Sequence, residues 1–389
     1  MRIAIAGAGI GGLAAAAALA RDGHDVTIHD RFATPRPVGS GLVIQPVGQD
    51  VLARIGALDA AAAMGNPVTR MMGVEAQAGR RVLDVHYDLH GTGRHGLAIH
   101  RAALFDALLR AAQAAGARLE AGRTVTGRDG QRLRLADGTL TDPCDLIVDA
   151  LGAASPLSPL VGRPLPYGAI WGTVDWPDTD LPRDQLRQCY RRADRMVGVL
   201  PLGRFPGRSG FKAALFWSLP ADGHDAWLSK GLETWRDEAT TLWPAVAPFA
   251  AQITDPAQMT MARYSHGTLR RPAGPGIAHI GDAAHRASPQ LGQGANMALL
   301  DALALTRALR CCDVDLALRH YVAARRWHVR IYQTFSAAFT PQYQSNSHAL
   351  PWLRDRVLFP ASQVAPVPRL LSALVCGTML PPLASLTPR

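Results

Sequence analysis

The sequence contains few lysines and few cysteines. Only two of its 41 basic residues are lysines, Lys212 and Lys230. The five cysteines are an odd number and show no C-x-x-C spacing, which argues against a disulfide framework and a cysteine-based zinc site. This usage is typical of a reduced, cytoplasmic protein.

Two further absences exclude classes of protein. No stretch reaches the roughly 18 uncharged apolar residues that a membrane-spanning helix needs. The nearest, Leu370 to Leu380, is shorter and favours a packed C-terminal helix over a membrane anchor. The net charge is +10, but the arginines are scattered and form no clustered stripe, so the charge fits a field that attracts anionic cofactors better than a nucleic-acid surface. We therefore expect no transmembrane span and no nucleic-acid partner.

The N-terminal segment predicts a strand, a glycine-rich turn, a helix and a second strand. Ile3 to Ala6 is an uncharged apolar run, typical of a strand buried on both faces. Leu13 to Ala20 consists only of alanine and leucine, which are strong helix formers. Val26 to His29 is again a short strand. This order of elements opens a nucleotide-binding α/β unit.

The turn and the residue after the second strand carry the chemistry of this unit. Gly7, Gly9 and Gly12 match the G-x-G-x-x-G fingerprint, and Asp30 lies 18 residues after Gly12. In this context the glycines and the helix N-terminus bind a pyrophosphate, while the acid binds an adenosine ribose. The motif alone does not separate FAD from NAD.

A second motif lies past residue 276. Ile277 to Ile280 predicts a buried strand that ends in Gly281-Asp282, and a loop with Pro289 and Gly292-Gln293-Gly294 precedes another helix. An acid in this position can bind a sugar-like polyol. The N–H groups at the start of the helix can stabilise a developing anion.

Three stretches together resemble the FAD-dependent aromatic hydroxylases, the single-component flavoprotein monooxygenases of the p-hydroxybenzoate hydroxylase type. Gly7 to Asp30 is similar to their first fingerprint, and Gly281 to Asn296 is similar to their Gly-Asp motif. His100 to Leu104 is similar to the arginine-containing helix start that contacts their FAD. Order and spacing agree over roughly residues 1 to 334, and a plain NAD dehydrogenase has no counterpart of the second motif.

The resemblance implies an α/β fold in which a Rossmann-like FAD-binding domain is interleaved with an antiparallel-sheet substrate domain and followed by C-terminal helices. The parts of the FAD-binding domain are residues 1–70, 96–157 and 267–310. The substrate domain comprises residues 71–95 and 158–266. The C-terminal helical region is residues 311–389.

The resemblance also implies which residues contact FAD. They are Gly7, Gly9, Gly12, Asp30, Arg31, Arg101, Val125, Asp282, Gly292, Gly294, Ala295 and Asn296. The first three glycines and Arg101 would bind the pyrophosphate, Asp30 the adenosine ribose, and Asp282 the ribityl chain. Arg31 and the backbone of Val125 would lie at the adenine. The last four residues would face the flavin ring, where the helix N-terminus stabilises the anionic reduced flavin.

One segment departs from the family pattern. The family carries an Asp-Gly motif after the strand that corresponds to Leu146 to Val148, and this motif helps it bind FAD and NAD(P)H. Here Leu151 stands in place of the acid, before Gly152, and no arginine follows Ser155. Two interpretations remain open: a local rearrangement without functional effect, and altered or lost use of the pyridine nucleotide.

The chemistry that the resemblance implies is hydroxylation of an aromatic or polyketide-like small molecule. NAD(P)H reduces FAD, dioxygen forms a flavin C4a-hydroperoxide, and the electron-rich ring takes the oxygen, so that no metal and no protein nucleophile is needed. Alternatives are epoxidation, Baeyer–Villiger insertion, oxidase chemistry, or a flavin-binding protein with impaired NAD(P)H reduction. A halogenase is disfavoured because the W-x-W-x-I-P signature is absent and neither lysine lies in a matching context.

Candidate catalytic residues are few. His285 follows the Gly-Asp motif and is either a flavin or substrate contact or a hydrogen-bonded loop histidine, and Pro289 is expected on the substrate side of the ring. His86, Tyr87 and His90 lie on a predicted substrate-domain strand or in the loop after it, and each has the chemistry to deprotonate a phenol.

Two features leave their role open. Aromatic residues at strand spacing either line a substrate pocket or belong to the core; they are Trp171, Trp176, Phe211, Phe216 and Trp217. Gln342 to Asn346 is a polar, aromatic stretch that belongs either to the active-site mouth or to a dimer contact. Both a monomer and a homodimer are compatible with the sequence.

Overall fold

The computed structural model describes residues 1–33, 41–89, 91–205, 207 and 210–383. Its strands are β1 (Arg2–Ala6), β2 (Asp25–His29), β3 (Gly41–Ile44), β4 (Asn66–Val68), β5 (Arg70–Glu75), β6 (Arg81–His86), β7 (Gly96–His100), β8 (Arg118–Glu120), β9 (Val125–Asp129), β10 (Arg132–Leu135), β11 (Leu146–Asp149), β12 (Arg163–Asp175), β13 (Gln185–Arg191), β14 (Arg195–Arg204), β15 (Phe211–Pro220), β16 (Thr260–Thr268), β17 (Ala273–Gly274), β18 (Ile277–His279) and β19 (His285–Arg286). Its α-helices are α1 (Ile10–Arg21), α2 (Pro46–Arg54), α3 (Leu58–Met64), α4 (Arg101–Ala114), α5 (His224–Lys230), α6 (Leu232–Leu242), α7 (Ala247–Ala250), α8 (Gly294–Leu309), α9 (Val314–Tyr343), α10 (Ala349–Leu353), α11 (Phe359–Ser362) and α12 (Val367–Cys376).

The first sheet has the strand order β17-β18-β11-β1-β2-β8, and all neighbours except β17 and β18 pair in parallel. Helix α1 packs against both α4 and α8 on one face of this sheet. Its alanines make this close packing possible, since nine of its twelve residues are buried. The β9–β10 hairpin contributes Val125, Leu133 and Leu135 to a smaller apolar cluster that also contains Ile147 and Ile277 of the sheet. This parallel sheet with packed helices is the predicted Rossmann-like α/β arrangement.

The second sheet has the order β19-β16-β12-β15-β14-β13-β5-β6. Its pairs are antiparallel except for β13 with β5, a parallel pair that alternation alone did not predict. Neighbouring residues point to opposite faces. Trp217 and Trp176 belong to the face covered by α5–α7, where Trp176 meets Phe249 at 5.4 Å between ring centres. Phe216 and Trp171 lie on the other face, in an apolar cluster that includes Tyr343 of α9 and Val375 of α12.

Helix α9 runs without a break from Val314 to Tyr343 and contains Pro341. The stretch that follows it packs between α9 and the second sheet. Tyr343 is buried against Tyr190, the side-chain amide of Gln344 donates to Gly168 O, and Asn346 Oδ1 accepts from the Tyr167 hydroxyl. These contacts give the stretch 342–346 a structural role within the chain.

The C-terminal helices α10 to α12 form a layer against β6, with a π-helical turn, Arg354–Leu358, between α10 and α11. Among the described residues no single helix is long and apolar enough to cross a membrane. The segment Ala349–Ser362 reaches that length and composition only together with α12, from which it is bent by 101°.

Candidate active site

The glycine turn between β1 and α1 has a packed side and an open side. A Cβ on Gly12 would lie 1.9 Å from the carbonyl oxygen of Gly7, so the helix approaches the strand this closely only because position 12 is glycine. A Cβ on Gly9 would meet no atom within 4 Å. Gly9 is the N-cap of α1 and no side chain caps this helix, so its first-turn N–H groups are available to an anion. These features fit the predicted pyrophosphate contact.

Asp30 follows β2, and its carboxylate is fixed beside the glycine turn. Oδ2 accepts a hydrogen bond from Ala8 N at 2.8 Å, and Oδ1 accepts one from Phe32 N at 3.0 Å. Arg31 is exposed, with its guanidinium 4.8 Å from the centre of the Phe32 ring, and Val125 is buried at the start of β9. Two backbone hydrogen bonds therefore fix the Asp30 carboxylate next to the glycine turn, and its contact with the ribose stays a prediction.

Arg101, the first residue of α4, and Asp282, which follows β18, face the same cleft. Both side chains reach solvent, but protein surrounds the cleft on several sides. This desolvation lowers the pKa of the Arg101 guanidinium, against the opposing effect of Asp282 and Tyr264. It also raises the pKa of Asp282, against the opposing effect of His285 and Arg101. Two motifs that are far apart in the sequence thus bring opposite charges into one cleft.

A buried ionic network holds the Gly-Asp turn. Asp301 of α8 accepts hydrogen bonds from Gly281 N at 2.9 Å and His285 Nε2 at 2.6 Å, and its other oxygen accepts one from Arg325 Nε at 2.7 Å. Burial alone would raise the pKa of Asp301, but His285 and Arg325 outweigh it and lower the pKa to about 2. His285 is therefore engaged as a hydrogen-bonded loop histidine that orients the turn.

The loop before α8 is clamped to the start of α2. Asn296 is fully buried, and its side chain accepts from Gln45 N at 2.8 Å and donates to Gly292 O at 2.9 Å. Both the oxygen and the nitrogen of its side-chain amide are engaged in these bonds, so the predicted flavin contact would be made by its backbone. Gln293 is the N-cap of α8 but its side chain does not cap the helix; it donates to Val375 O at 2.7 Å instead. The N–H groups of Gly294 and its successor, Ala295, therefore remain available at the helix N-terminus.

The segment that departs from the family pattern contains a displaced acid. Asp149, two residues before Leu151, is fully buried, and its carboxylate accepts from Leu151 N at 3.1 Å and from Ser155 Oγ at 2.8 Å. It also pairs with His279 Nδ1 at 2.7 Å. Leu151 itself packs into the apolar cluster under the β9–β10 hairpin. The loop is thus ordered by an acid in the strand and is tied to the strand that leads into the Gly-Asp turn.

Tyr264 of β16 brings the second sheet to the cleft. Its hydroxyl accepts a hydrogen bond from Trp171 Nε1 at 3.0 Å, and the Trp171 ring lies 4.5 Å from the ring of Phe216. Burial raises the pKa of Tyr264 to about 12, which keeps the phenol neutral at physiological pH. Sequence analysis did not single out this tyrosine. The available signal was its place on the strand that precedes the Gly-Asp motif.

A chain of hydroxyl groups starts two residues farther along β16. Ser288 Oγ lies 2.9 Å from Ser336 Oγ and 2.6 Å from Thr340 Oγ1, and all three residues are buried. His266 Nε2 lies 3.4 Å from Ser336 Oγ. Burial and the nearby Arg163 lower the pKa of His266, so the imidazole is neutral near pH 7. Because Ser288 directly precedes Pro289, the chain ends where the substrate side of the ring is expected.

The other candidate bases occupy unsuitable positions. His86 is exposed on the edge strand β6, where its ring pairs with Asp84 at 3.4 Å. Tyr87 is buried, which raises the pKa of its hydroxyl well above the ordinary value. His90 lies outside the described residues. No group of three or more His, Cys, Asp or Glu side chains suited to a metal ion occurs in the described part of the chain.

Comparison with known proteins identifies the family. A family model for an FAD binding domain matches residues 1–326. The chain is 28% identical to the FAD-dependent urate hydroxylase of Klebsiella pneumoniae subsp. pneumoniae over 348 residues, which cover 85% of this chain and 87% of the relative. It is 26% identical to the 6-hydroxynicotinate 3-monooxygenase of Pseudomonas fluorescens over 381 residues, which cover 91% of this chain and 92% of that relative.

Solved structures agree in fold. The crystal structure of Klebsiella pneumoniae HpxO complexed with FAD and uric acid superposes with a TM-score of 0.80 at 23% identity, covering 97% of this chain and 96% of the other. The chain therefore belongs to the FAD-dependent aromatic hydroxylase family of flavoprotein monooxygenases. It is an FAD-dependent monooxygenase, and NAD(P)H is the cosubstrate typical of the family.

Proposed function

We propose that this enzyme hydroxylates a small, electron-rich heteroaromatic compound that carries a ring hydroxyl group. Relatives are a urate hydroxylase, a 6-hydroxynicotinate 3-monooxygenase and a 2-heptyl-3-hydroxy-4(1H)-quinolone synthase, the last from Pseudomonas aeruginosa and 29% identical over 79% of this chain and 80% of that protein. The observation that carries the proposal is that the Arg101 guanidinium lies within electrostatic range of both Asp282 and Tyr264. The cleft joins two predicted FAD contacts to the aromatic face of the second sheet.

The residues of the cleft fit FAD from one end to the other. The open side of the glycine turn and the α1 N-terminus would hold the pyrophosphate, Asp30 the ribose and Asp282 the ribityl chain. The α8 N-terminus would face the flavin ring. When bound, FAD supplies hydride acceptance and dioxygen activation, and the protein supplies position and electrostatics. We include reduction by NAD(P)H in the proposal because Asp149 orders the loop in which the family acid is missing.

On the substrate side, we propose that the aromatic rings of Trp171, Phe216 and Tyr264 position the substrate ring. His266 then accepts the proton of the substrate hydroxyl, directly or through Ser336, which makes the ring more electron-rich. The lowered pKa of His266 keeps its imidazole available as a base near pH 7.

The test is NAD(P)H oxidation by the purified flavoprotein with a panel of hydroxylated pyridines, quinolones and purines. We expect one or more of them to stimulate the oxidation and to gain one oxygen atom, labelled when the assay is run under ¹⁸O₂. His266→Gln should lower kcat and remove the acidic limb of its pH profile. Stimulated oxidation without labelled product would favour oxidase chemistry, and a flavin that neither NADH nor NADPH reduces would favour the flavin-binding alternative.

Location and assembly are part of the same proposal. Cys144, Cys189, Cys311, Cys312 and Cys376 are all unpaired thiols, which supports a reducing, cytoplasmic setting. We propose a monomer or a homodimer, which size-exclusion chromatography with light scattering will distinguish.

A further inference from the structure

Exposed apolar side chains are concentrated on the C-terminal helical layer. Thirteen large apolar side chains are exposed among the described residues. Six of them fall between positions 352 and 370, namely Trp352, Leu353, Val357, Leu358, Val364 and Leu370. We call residues 352–370 the C-terminal surface. A concentration of this kind marks an interaction site, since isolated exposed apolar residues are usually scattered.

The charges of the C-terminal surface are of one sign. Arg356 and Arg369 are exposed, and neither forms an ion pair with a carboxylate of the described residues. The single acid within the segment, Asp355, is already paired with the buried Arg354 at 2.6 Å. A tryptophan, aliphatic side chains and exposed arginines together are the composition of a helix that lies in a lipid–water interface.

We propose that the C-terminal surface binds the face of an anionic lipid bilayer, with Trp352 and its apolar neighbours in the headgroup region and the two arginines on lipid phosphates. A second copy of the chain is the other occupant to consider. A symmetric dimer through this surface would gather the exposed arginines of both copies in one interface without a free acid to pair them, and the charge therefore favours the anionic bilayer.

The other side of the same layer reaches the flavin end of the site. Val375 O of α12 accepts a hydrogen bond from Gln293, the N-cap of α8, and Leu374 O accepts one from the Tyr332 hydroxyl. Helix α12, which carries Arg369 and Leu370 of the C-terminal surface, therefore also contacts the N-cap of α8. One consequence is that an apolar heteroaromatic substrate is delivered from the lipid, and this consequence rests on the proposed function. The binding of lipid itself does not rest on the proposed function.

The structure offers a matched control. Trp327 of α9 is 61% exposed, as Trp352 is 62% exposed. It also lies beside two arginines, Arg326 and Arg330, at 5.3 Å and 5.4 Å from its ring. Trp327→Ser therefore removes an equally exposed tryptophan in a cationic setting, but outside the proposed surface.

The experiment is co-sedimentation of the purified holoprotein with vesicles of phosphatidylcholine alone and of phosphatidylcholine with phosphatidylglycerol. We expect binding to the anionic vesicles and at least tenfold weaker binding to the neutral ones. The variant Arg356→Gln/Arg369→Gln should bind anionic vesicles roughly thirtyfold more weakly. The variant Trp352→Ser/Val357→Ser should lose binding, while Trp327→Ser should retain it. All these side chains are exposed, so flavin content and Tm should stay unchanged.

Three results would overturn the proposal. The first is the absence of binding to either kind of vesicle. The second is an equal loss of binding in Trp327→Ser and in Trp352→Ser/Val357→Ser. The third is a dimer that Trp352→Ser/Val357→Ser converts to a monomer without any vesicle binding, which would assign the surface to a second copy of the chain. Vesicle binding together with a failed substrate screen would leave this inference standing and contradict the proposed function alone.

Discussion

Asp301→Asn is expected to weaken both the fold and the cofactor site. Asp301 is fully buried and compensates the charge of Arg325, of which only 2% is exposed. Asparagine keeps the size of the side chain but leaves the Arg325 guanidinium without an anion. One carboxylate oxygen of Asp301 accepts hydrogen bonds from His285 and Gly281, and an NH₂ group in its place cannot accept them. The cost arises mainly from the uncompensated charge.

The expected magnitude follows from this burial. Breaking a buried ion pair by removing one partner costs roughly 3 to 5 kcal/mol. This is a large part of a total stability of roughly 5 to 15 kcal/mol. At an unfolding entropy of roughly 2.1 cal/mol/K per residue, it corresponds to a Tm about 5 °C lower for a chain of this length. FAD affinity should also fall, because Gly281 N loses an acceptor and the Asp282 turn loosens.

The pH dependence of the free energy of unfolding tests the same role of Asp301 independently. The pKa of Asp301 is lowered to about 2, so its stabilisation is present above the unfolded pKa near 3.8 and is lost as the pH falls through about 2. The stability difference between wild type and Asp301→Asn should therefore shrink by about 2 kcal/mol between pH 5 and pH 2.

Denaturant unfolding and flavin release, followed from pH 5 downward, are the assays for Asp301→Asn. Asp315→Asn is the control, because Asp315 is exposed on α9 and the chemical change is the same. A Tm for Asp301→Asn within one degree of that for Asp315→Asn, or a difference that does not change with pH, would refute the reasoning.

Four further substitutions separate packing from ligand contacts. Gly9→Ala should weaken FAD binding at least roughly tenfold in a calorimetric titration and leave the Tm of the apoprotein unchanged, whereas Gly12→Ala should lower that Tm because its Cβ would meet Gly7 O. Asp149→Asn should raise the KM for NAD(P)H and lower the Tm, because the buried His279 pair and the loop contacts are lost; a purely structural role would change the Tm alone. Tyr264→Phe should raise the substrate KM with little change in FAD affinity, and an unchanged KM would contradict its placement at the substrate.

The sequence was most informative where chemistry is local. The glycine turn, the helix after it and Asp30 follow one another within about thirty residues, and each has a recognised backbone requirement. Phe216 and Trp217 were predicted to lie on a strand, and as neighbours on β15 they occupy opposite faces of the sheet. These features depend on neighbouring residues and therefore appear in a sequence pattern.

Long-range pairing could not be predicted in the same way. Asp301 and Arg325 lie on different helices, 24 residues apart, and only the packing of α8 on α9 brings them together. Asp149 and His279 are 130 residues apart, so the sequence showed a missing acid but not the acid that orders the loop. The parallel pairing of β13 with β5 is hidden for the same reason, because it joins segments that are separated by several other strands.

The most direct test of the central claim is an FAD titration of the apoprotein and of two variants, one in each distant turn. The account predicts one FAD per chain for the wild type and weaker binding at that one site for both Gly9→Ala and Asp282→Asn. A chain that does not bind FAD, or a substitution in either turn that leaves FAD affinity unchanged, would contradict the claim that both turns form a single cofactor site.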